Sequence, residues 1–485
     1  MITASRLLFT AAIAGAMALA PLRADGTAGA DVSKSLGDTE NAAGVDLKGW
    51  VRRDDPAMNR WRENRVGLFI HFGVYSVFGG EYKGRVVRSA GEWIKAAGGI
   101  SNADYTAAMK DFTLEKFDAR EWVREAKRMG ARYIGITTKH HDGFCLWPSK
   151  FTDYSVAATP SKRDILKELA EACQAEGVDL EFYYSIIDWH HPDYMAKEPV
   201  TPEEKAKYAR YLEFLKAQCK ELLTQYGDIK GLWFDGRWDP SYRKQPQIGK
   251  DLEAFLRDLK PGIVLGDRVR AYDSYADYNS GYERKLPATR PPLDWECVTT
   301  MTTNSWGYHK SWDGDGWKTP ATLVRWIAHS IGMGGDIMIN IGPRGDGSLN
   351  PKETERMREI GRWVNSYADA VYGTDGITLD YGNKPEKPAD KNGKKPKPGA
   401  MIDGPLPGPF ATVKGKNVNV ILCSWPETNK LRVGGLRGNI AAAVLRKPDG
   451  TSSPLEVVVD KNLPTILLPM HAPDDLASVV TLTLE

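Results

Sequence analysis

Apolar positions along the chain fall into two rhythms. Residues 66–71 (VGLFIH), 133–137 (YIGIT), 178–185 (VDLEFYYS), 229–235 (IKGLWFD), 262–266 (GIVLG) and 336–340 (DIMIN) are short apolar-rich runs, the length and character of strands buried on both faces. Between them, segments such as 120–129 (REWVREAKRM) and 164–173 (DILKELAEAC) repeat apolar residues at spacings of three and four, as a helix with one buried stripe requires. Strand and helix alternate, which predicts a parallel sheet.

Two parallel architectures compete, an open doubly wound sheet and a closed barrel. The first strand lacks a glycine-rich phosphate loop, and the predicted strands end at or just before His71, His140, Ser185, Asp235, Arg268 and Asn340. In a (β/α)8 barrel all strand C-termini face one pocket, which explains why so many different ends carry chemically capable residues. The predicted fold is therefore α/β, a TIM-like (β/α)8 barrel over residues 46–372. After a long helix over 351–372 the rhythm changes. The Lys/Pro-rich stretch 384–398 cannot hold a core and reads as a solvated loop. Alternating runs such as 417–423 (NVNVILC) and 478–484 (SVVTLTL) predict a C-terminal β-sandwich over 373–485.

At 485 residues and 42% hydrophobic, the chain is long enough for a catalytic-size unit plus an appendage. With 65 basic and 63 acidic residues, a net charge of +2, it has no electrostatic footprint for nucleic acid or an anionic membrane, so neutral partners are expected. The N-terminus carries Arg6, an apolar run over 7–20 and the small-residue ending Leu22-Arg23-Ala24. That pattern predicts a signal peptide over 1–24, a polar leader over 25–45 and an exported protein, periplasmic or extracellular. Five cysteines lack CxxC spacing and are expected as buried free thiols.

The stretch HHDGFCLW at 140–147 poses the chemical question. Adjacent residues on a strand point to opposite faces, and neither HxH nor HExxH occurs, so the histidine pairs His140/His141 and His190/His191 argue weakly for a metal. A clamp for a sugar fits better: imidazoles, carboxylates and an arginine meet hydroxyls, while aromatic faces meet C–H patches. Trp is abundant, 15 in all, although Trp at a barrel rim is as often packing. Asp235 ends an apolar strand before Gly236, which projects a carboxylate into the pocket, and a sugar-cleaving site needs two such groups. His190 and His191 are expected to satisfy a loop, and the Gly342–Gly347 turn (GPRGDG) to be structural.

GLFIHFG at 67–73, KHHDGFCLW at 139–147, YYS at 183–185 with Asp188-Trp189, LWFDG at 232–236, Trp295-Glu296 and NSWGY at 304–308 follow one another in order. Together they resemble the α-L-fucosidases of glycoside hydrolase family 29. The resemblance implies retaining hydrolysis of an α-L-fucosyl bond in glycans or glycoconjugates, without metal or cofactor, and Asp235 as nucleophile. Glu296 and Glu283 both fall where the family places its acid/base. Glu296 is favoured, because its apolar-aromatic context would raise a carboxyl pKa, whereas Arg284 beside Glu283 would lower one. The resemblance further implies that His71, His140, His141, Glu92 and Trp93 hold hydroxyls. It places Arg268 beside the nucleophile, with Phe69, Tyr183, Trp233 and Trp306 walling the C6 methyl group. The rival readings are a metal-dependent barrel hydrolase and a catalytically silent fucose-binding protein.

Overall fold

A computed structural model of the protein describes residues 51–303, 305–312, 316–382 and 401–485. The expected signal peptide, the leader and the Lys/Pro-rich stretch lie outside the described residues.

Eight parallel strands form the first unit: β1 Val66–Ile70, β2 Tyr133–Lys139, β3 Asp179–Ser185, β4 Gly231–Asp235, β5 Val264–Leu265, β6 Asn279–Glu283, β7 Trp295–Thr300 and β8 Asp336–Ile341. They pair in chain order, and β8 returns to β1 with Ile337 opposite Val66. The circuit closes between β5 and β6 through a parallel bridge, Gly266 to Tyr278, flanked by Asp267 N–H to Tyr278 O at 2.9 Å. The fold is thus a TIM-like barrel. Two of its strands, β6 and β7, carry too many polar residues to be read as apolar runs. No long helix separates β5 from β6 or β6 from β7, so this sector departs from strict strand and helix alternation.

The long helices are α1 Pro56–Asn64, α2 Ala119–Met129, α3 Ile165–Glu176, α4 Pro202–Gln225, α5 Pro246–Leu259, α6 Pro320–Gly332 and α7 Pro351–Ser366. Their starts are written in the sequence: Asp118, Asp164, Thr201 and Thr319 each cap a helix by accepting a backbone N–H, and Pro occupies the first turn of four of α3 to α7. The helix expected to run to residue 372 stops at Ser366 and resumes as one short turn.

Helix α1 plugs the N-terminal mouth of the barrel. Met58 and Trp61 enter the interior cluster with Tyr133, Tyr183, Trp233 and Tyr278. Arg60 and Arg62 of the helix, and Arg53 just before it, reach acidic residues at the strand starts: Arg53 to Asp277 at 2.6 Å, Arg60 to Asp179, and Arg62 to Asp294 at 2.8 Å. These carboxylates are buried, and an unpaired buried charge costs several kcal/mol, so the plug also neutralises the barrel floor.

The C-terminal unit is a sandwich of a six-stranded and a three-stranded antiparallel sheet. Alternation divides its central strands between two cores. Val420, Leu422, Val480 and Leu482 face the smaller sheet, while Ile421 and Val479 face the barrel. There Phe410 stacks on His329 of α6 at 4.9 Å, and Trp363 of α7 donates to Ala477 O at 2.8 Å. All five cysteines are free. No helix among the described residues is long and apolar enough to cross a membrane.

Helices α2 and α7 meet at Gly361, where a Cβ would lie 1.8 Å from the Arg128 carbonyl oxygen. Gly361→Ala must therefore push the two helices apart, at a cost of about 1–3 kcal/mol. A fall in the urea midpoint is expected, and an unchanged midpoint would show that the contact relaxes freely.

Candidate active site

The C-terminal ends of the strands converge on one concavity. Its floor is aromatic: Tyr183 of β3 stacks on Trp233 of β4 at 5.5 Å and 18°, and Phe69 of β1 lies 5.6 Å from the Trp233 ring. Trp306, on the loop after β7, stands 6.1 Å from Phe69 and 5.2 Å from His71. These four rings make the apolar wall.

On this floor sits an ionic pair with a third member. Asp235, the last residue of β4, accepts from Arg268 Nη1 at 2.6 Å on one oxygen and from the Tyr183 hydroxyl at 3.0 Å on the other. Arg268 lies 4.5 Å above the Trp233 ring and donates through Nη2 to Glu283 at 3.1 Å and to Ser280 O at 3.2 Å. Burial works against the charge on Arg268, but Asp235 and Glu283 outweigh it and hold the guanidinium protonated. Glu283 ends β6 with 35% of its side chain exposed. One guanidinium thus holds two carboxylates at the mouth of the barrel.

Three imidazoles border the pair. Asn340 donates its amide to Trp306 O at 2.7 Å, which turns its carbonyl toward His71 Nδ1 at 2.6 Å. His71 must therefore carry its proton on Nδ1 and offer Nε2 as an acceptor. Ser185 Oγ lies 2.6 Å from both Ile187 O and His141 Nδ1. The carbonyl takes the hydroxyl proton, so His141 donates from Nδ1 and its Nε2, 3.6 Å from Asp235, is also an acceptor. Burial pushes both rings down to about 3, leaving them neutral at working pH. His140 stacks parallel on Tyr183 at 5.5 Å, and its buried Nδ1 has no partner.

Glu92 approaches from the loop after β1. One of its oxygens accepts from the backbone N–H groups of Trp306 at 3.1 Å and Gly307 at 2.8 Å, and the other, though buried, has no partner. Burial raises this carboxyl to about 7. Orphaned polar atoms of this kind cost about 1–3 kcal/mol, and two of them, on Glu92 and His140, lie beside one aromatic floor. Trp93 follows, its ring 5.3 Å from His141 and 5.2 Å from Trp189.

Glu296 is the exception among the expected site residues. It is the second residue of β7, opposite Asp336 at the start of β8, and so sits at the N-terminal end of the barrel, below the aromatic floor. It is fully buried, accepting from Tyr133 at 2.9 Å and from Trp233 Nε1 at 3.1 Å. The apolar-aromatic context does raise its carboxyl, to about 7, by burial. A raised pKa at the wrong end of a strand reaches no substrate, and the preference for Glu296 over Glu283 is corrected on that ground. The signal that finds Glu283 is its position as the last residue of a strand; the cation that meets it is Arg268, not its neighbour Arg284.

Other motif residues are structural. Trp147 is buried and donates to Glu221 of α4 at 2.9 Å. His190 stacks on Tyr154 at 3.8 Å, and His191 packs 4.4 Å from Phe214. Both of their backbone N–H groups donate to Asp188, which Lys139 holds at 2.9 Å. Among the described residues, His140, His141 and Asp235 could bring ligand atoms within 4.8 Å of one another. Asp235 already gives both oxygens to Arg268 and Tyr183, so a cation bound there would compete with the guanidinium.

A barrel whose rim sets guanidinium-bridged carboxyls over an aromatic floor, beside neutral imidazole acceptors, has the equipment of a glycoside hydrolase. A family model described as Alpha-L-fucosidase matches residues 39–369. The chain is 30% identical to rat plasma alpha-L-fucosidase, over 70% of this chain and 77% of that one. It is 28% identical to a Branchiostoma floridae alpha-L-fucosidase, over 88% and 92%. A solved alpha-L-fucosidase GH29 from Bacteroides thetaiotaomicron superimposes with a TM-score of 0.79 at 36% identity, covering 90% of this chain and 96% of that one. A mutant of an alpha-L-fucosidase GH29 from that organism, glutamate replaced by glutamine, was trapped as a covalent intermediate in complex with 2-fluoro-fucosyl fluoride. The chain belongs to the α-L-fucosidase family, glycoside hydrolase family 29.

Because burial holds Glu92 and Glu296 near 7, above the ordinary carboxyl range, the stability tied to their neutral forms is present at acid pH and lost as pH rises through about 7. Glu92→Gln removes one share. Between about pH 5 and about pH 8.5 its unfolding midpoint should fall less than that of the parent; an unchanged fall would show Glu92 ionised throughout.

Proposed function

We propose that the protein is an exported, exo-acting α-L-fucosidase that releases terminal α-L-fucosyl residues by retaining double displacement. Asp235 is the nucleophile and Glu283 the acid/base. The observation that carries the reading is the Asp235–Arg268–Glu283 chain on the aromatic floor. A guanidinium touching both carboxylates draws them together, and retention uses carboxyls only about 5 Å apart, too close for an intervening water.

In the first step Asp235 attacks the anomeric carbon while Glu283 gives its proton to the departing glycosidic oxygen, leaving a fucosyl ester. Arg268 and Tyr183 keep Asp235 anionic and oriented until it reacts. Forming the ester removes the negative charge of Asp235 from the neighbourhood of Glu283, which favours the Glu283 carboxylate. In the second step that carboxylate takes a proton from water as the water attacks the same carbon, and fucose leaves with its configuration retained.

Recognition follows from the donor inventory. His71 and His141 present Nε2 acceptors to sugar hydroxyls, and the unpartnered oxygen of Glu92 and Nδ1 of His140 receive others. Trp93 borders this group. Phe69, Tyr183, Trp233 and Trp306 enclose the C6 methyl, favouring the deoxy sugar by about 1–3 kcal/mol. Export rests on the apolar N-terminal run ending Leu22-Arg23-Ala24.

The test is hydrolysis of 4-nitrophenyl α-L-fucoside. Asp235→Ala should lose at least about a thousandfold in kcat, and azide should rescue it with a fucosyl azide of β configuration. Glu283→Ala should lose about 10²- to 10⁴-fold with poor leaving groups, and azide should give the α product. Glu296→Gln should lower the unfolding midpoint and yield no azide product; azide rescue in that variant instead of Glu283→Ala would reverse the assignment. Activity abolished by chelator and restored by a divalent ion would favour a metal hydrolase.

A further inference from the structure

Among the described residues three aromatic side chains are strongly exposed: Phe151, Trp238 and Tyr272. Two of them closely follow the residues of the ionic pair in the chain. Trp238 lies three residues beyond Asp235 and Tyr272 four beyond Arg268, so both stand on the face of the barrel where the site opens.

Trp238 is 37% exposed, and its ring stands perpendicular to that of His141 at 5.5 Å. It is held on a rigid turn. Gly236 has φ +92, Asp239 N–H returns to Gly236 O at 3.1 Å, and the Asp239 carboxylate accepts from Ser241 N–H at 3.1 Å. Tyr272, 46% exposed, is covered on one side by Arg237, whose guanidinium lies 4.4 Å from the ring centre. Arg237 is itself fixed by Asp267, with an ion pair at 2.9 Å and a donation to Asp267 O at 3.0 Å.

An indole left in water beside a catalytic pair costs hydration free energy that a ligand ring would recover. The electron-rich face of such a ring attracts weakly positive C–H groups, and a turn fixed in advance lowers the ordering cost of binding. Arg237, the cation over Tyr272, is already paired with Asp267, so it offers no free charge to an anion. We propose that Trp238 and Tyr272 form a platform for the leaving group, one that takes the ring of a neutral pyranose attached to the fucosyl unit. The platform rests on the fucosidase reading above and adds the class of sugar on its far side.

The experiment compares two substrates in the full-length protein. α-L-Fucosyl fluoride carries no leaving-group ring and departs without protonation, whereas a fucosyl-galactose disaccharide presents the ring. Trp238→Ala should cut kcat/KM for the disaccharide roughly fivefold to tenfold, mainly through KM, and leave the fluoride within about twofold. Trp238→Phe should recover most of the loss, and Tyr272→Ala should act in the same sense. Equal falls on both substrates, or no change on the disaccharide, would overturn the platform while leaving the fucosidase reading intact. A wild-type protein that does not hydrolyse the fluoride would overturn the fucosidase reading itself.

Discussion

Everything at the rim is arranged around one buried guanidinium. Arg268 is 7% exposed, lies on the Trp233 face and holds Asp235 and Glu283 at its two nitrogens. A lone charge at such depth would be expensive, and the two carboxylates make it tolerable while being oriented by it. The arginine comes from a 3₁₀ turn directly after the two-residue strand β5, in the sector that lacks covering helices. There Asp267 ties β5 to β6 by accepting from both Ser280 N–H at 2.9 Å and Ser280 Oγ at 2.7 Å. Side-chain bonds do locally what a crossover helix does elsewhere, and they fix where the guanidinium lands.

The barrel interior separates two populations of carboxyls with different physics. Above the aromatic floor, Asp235 is satisfied by a cation and a phenol. Below it, Glu181 and Glu296 lie among Tyr133, Tyr278 and Trp61. Burial and the nearby acids Glu296, Asp179 and Asp336 push Glu181 well up. The Trp233 indole joins the layers, its face under Arg268 and its N–H on Glu296. Glu296 is therefore a support for the floor.

Much of this is legible in the sequence. Six of the eight barrel strands are runs of apolar residues, and the residues at their ends are those that line the pocket, because a closed barrel leaves them nowhere else to point. The two strands without an apolar run, NSGYE and WECVTT, lie in the helix-poor sector, and they carry the two candidate acids. Nothing local in the sequence shows that Glu283 ends a strand while Glu296 lies near the start of one, so the choice between them rests on local context. Context encodes the burial of Glu296 but not its height in the barrel. The partner of Glu283 was equally invisible, since Arg268 is fifteen residues away in sequence and Arg284 is adjacent. Hydrogen bonds that set the tautomers of His71 and His141 depend on Asn340, Trp306 and Ser185 meeting across the barrel, which no spacing encodes.

The plug at the other mouth bears on how the chain reaches this state. Helix α1 precedes β1, yet the acids that receive its arginines are Asp179, Asp277 and Asp294, up to 232 residues downstream. Those contacts close some of the longest loops in the molecule, and contacts of high sequence separation slow folding because the chain entropy is lost before the contact is gained. Until residue 294 is in place the plug lacks part of its seat, and the acids at the strand starts lack their counter-charges. Closure of the barrel floor thus requires the chain through residue 294, and a chain interrupted before β7 would leave Met58 and Trp61 without the complete interior they enter.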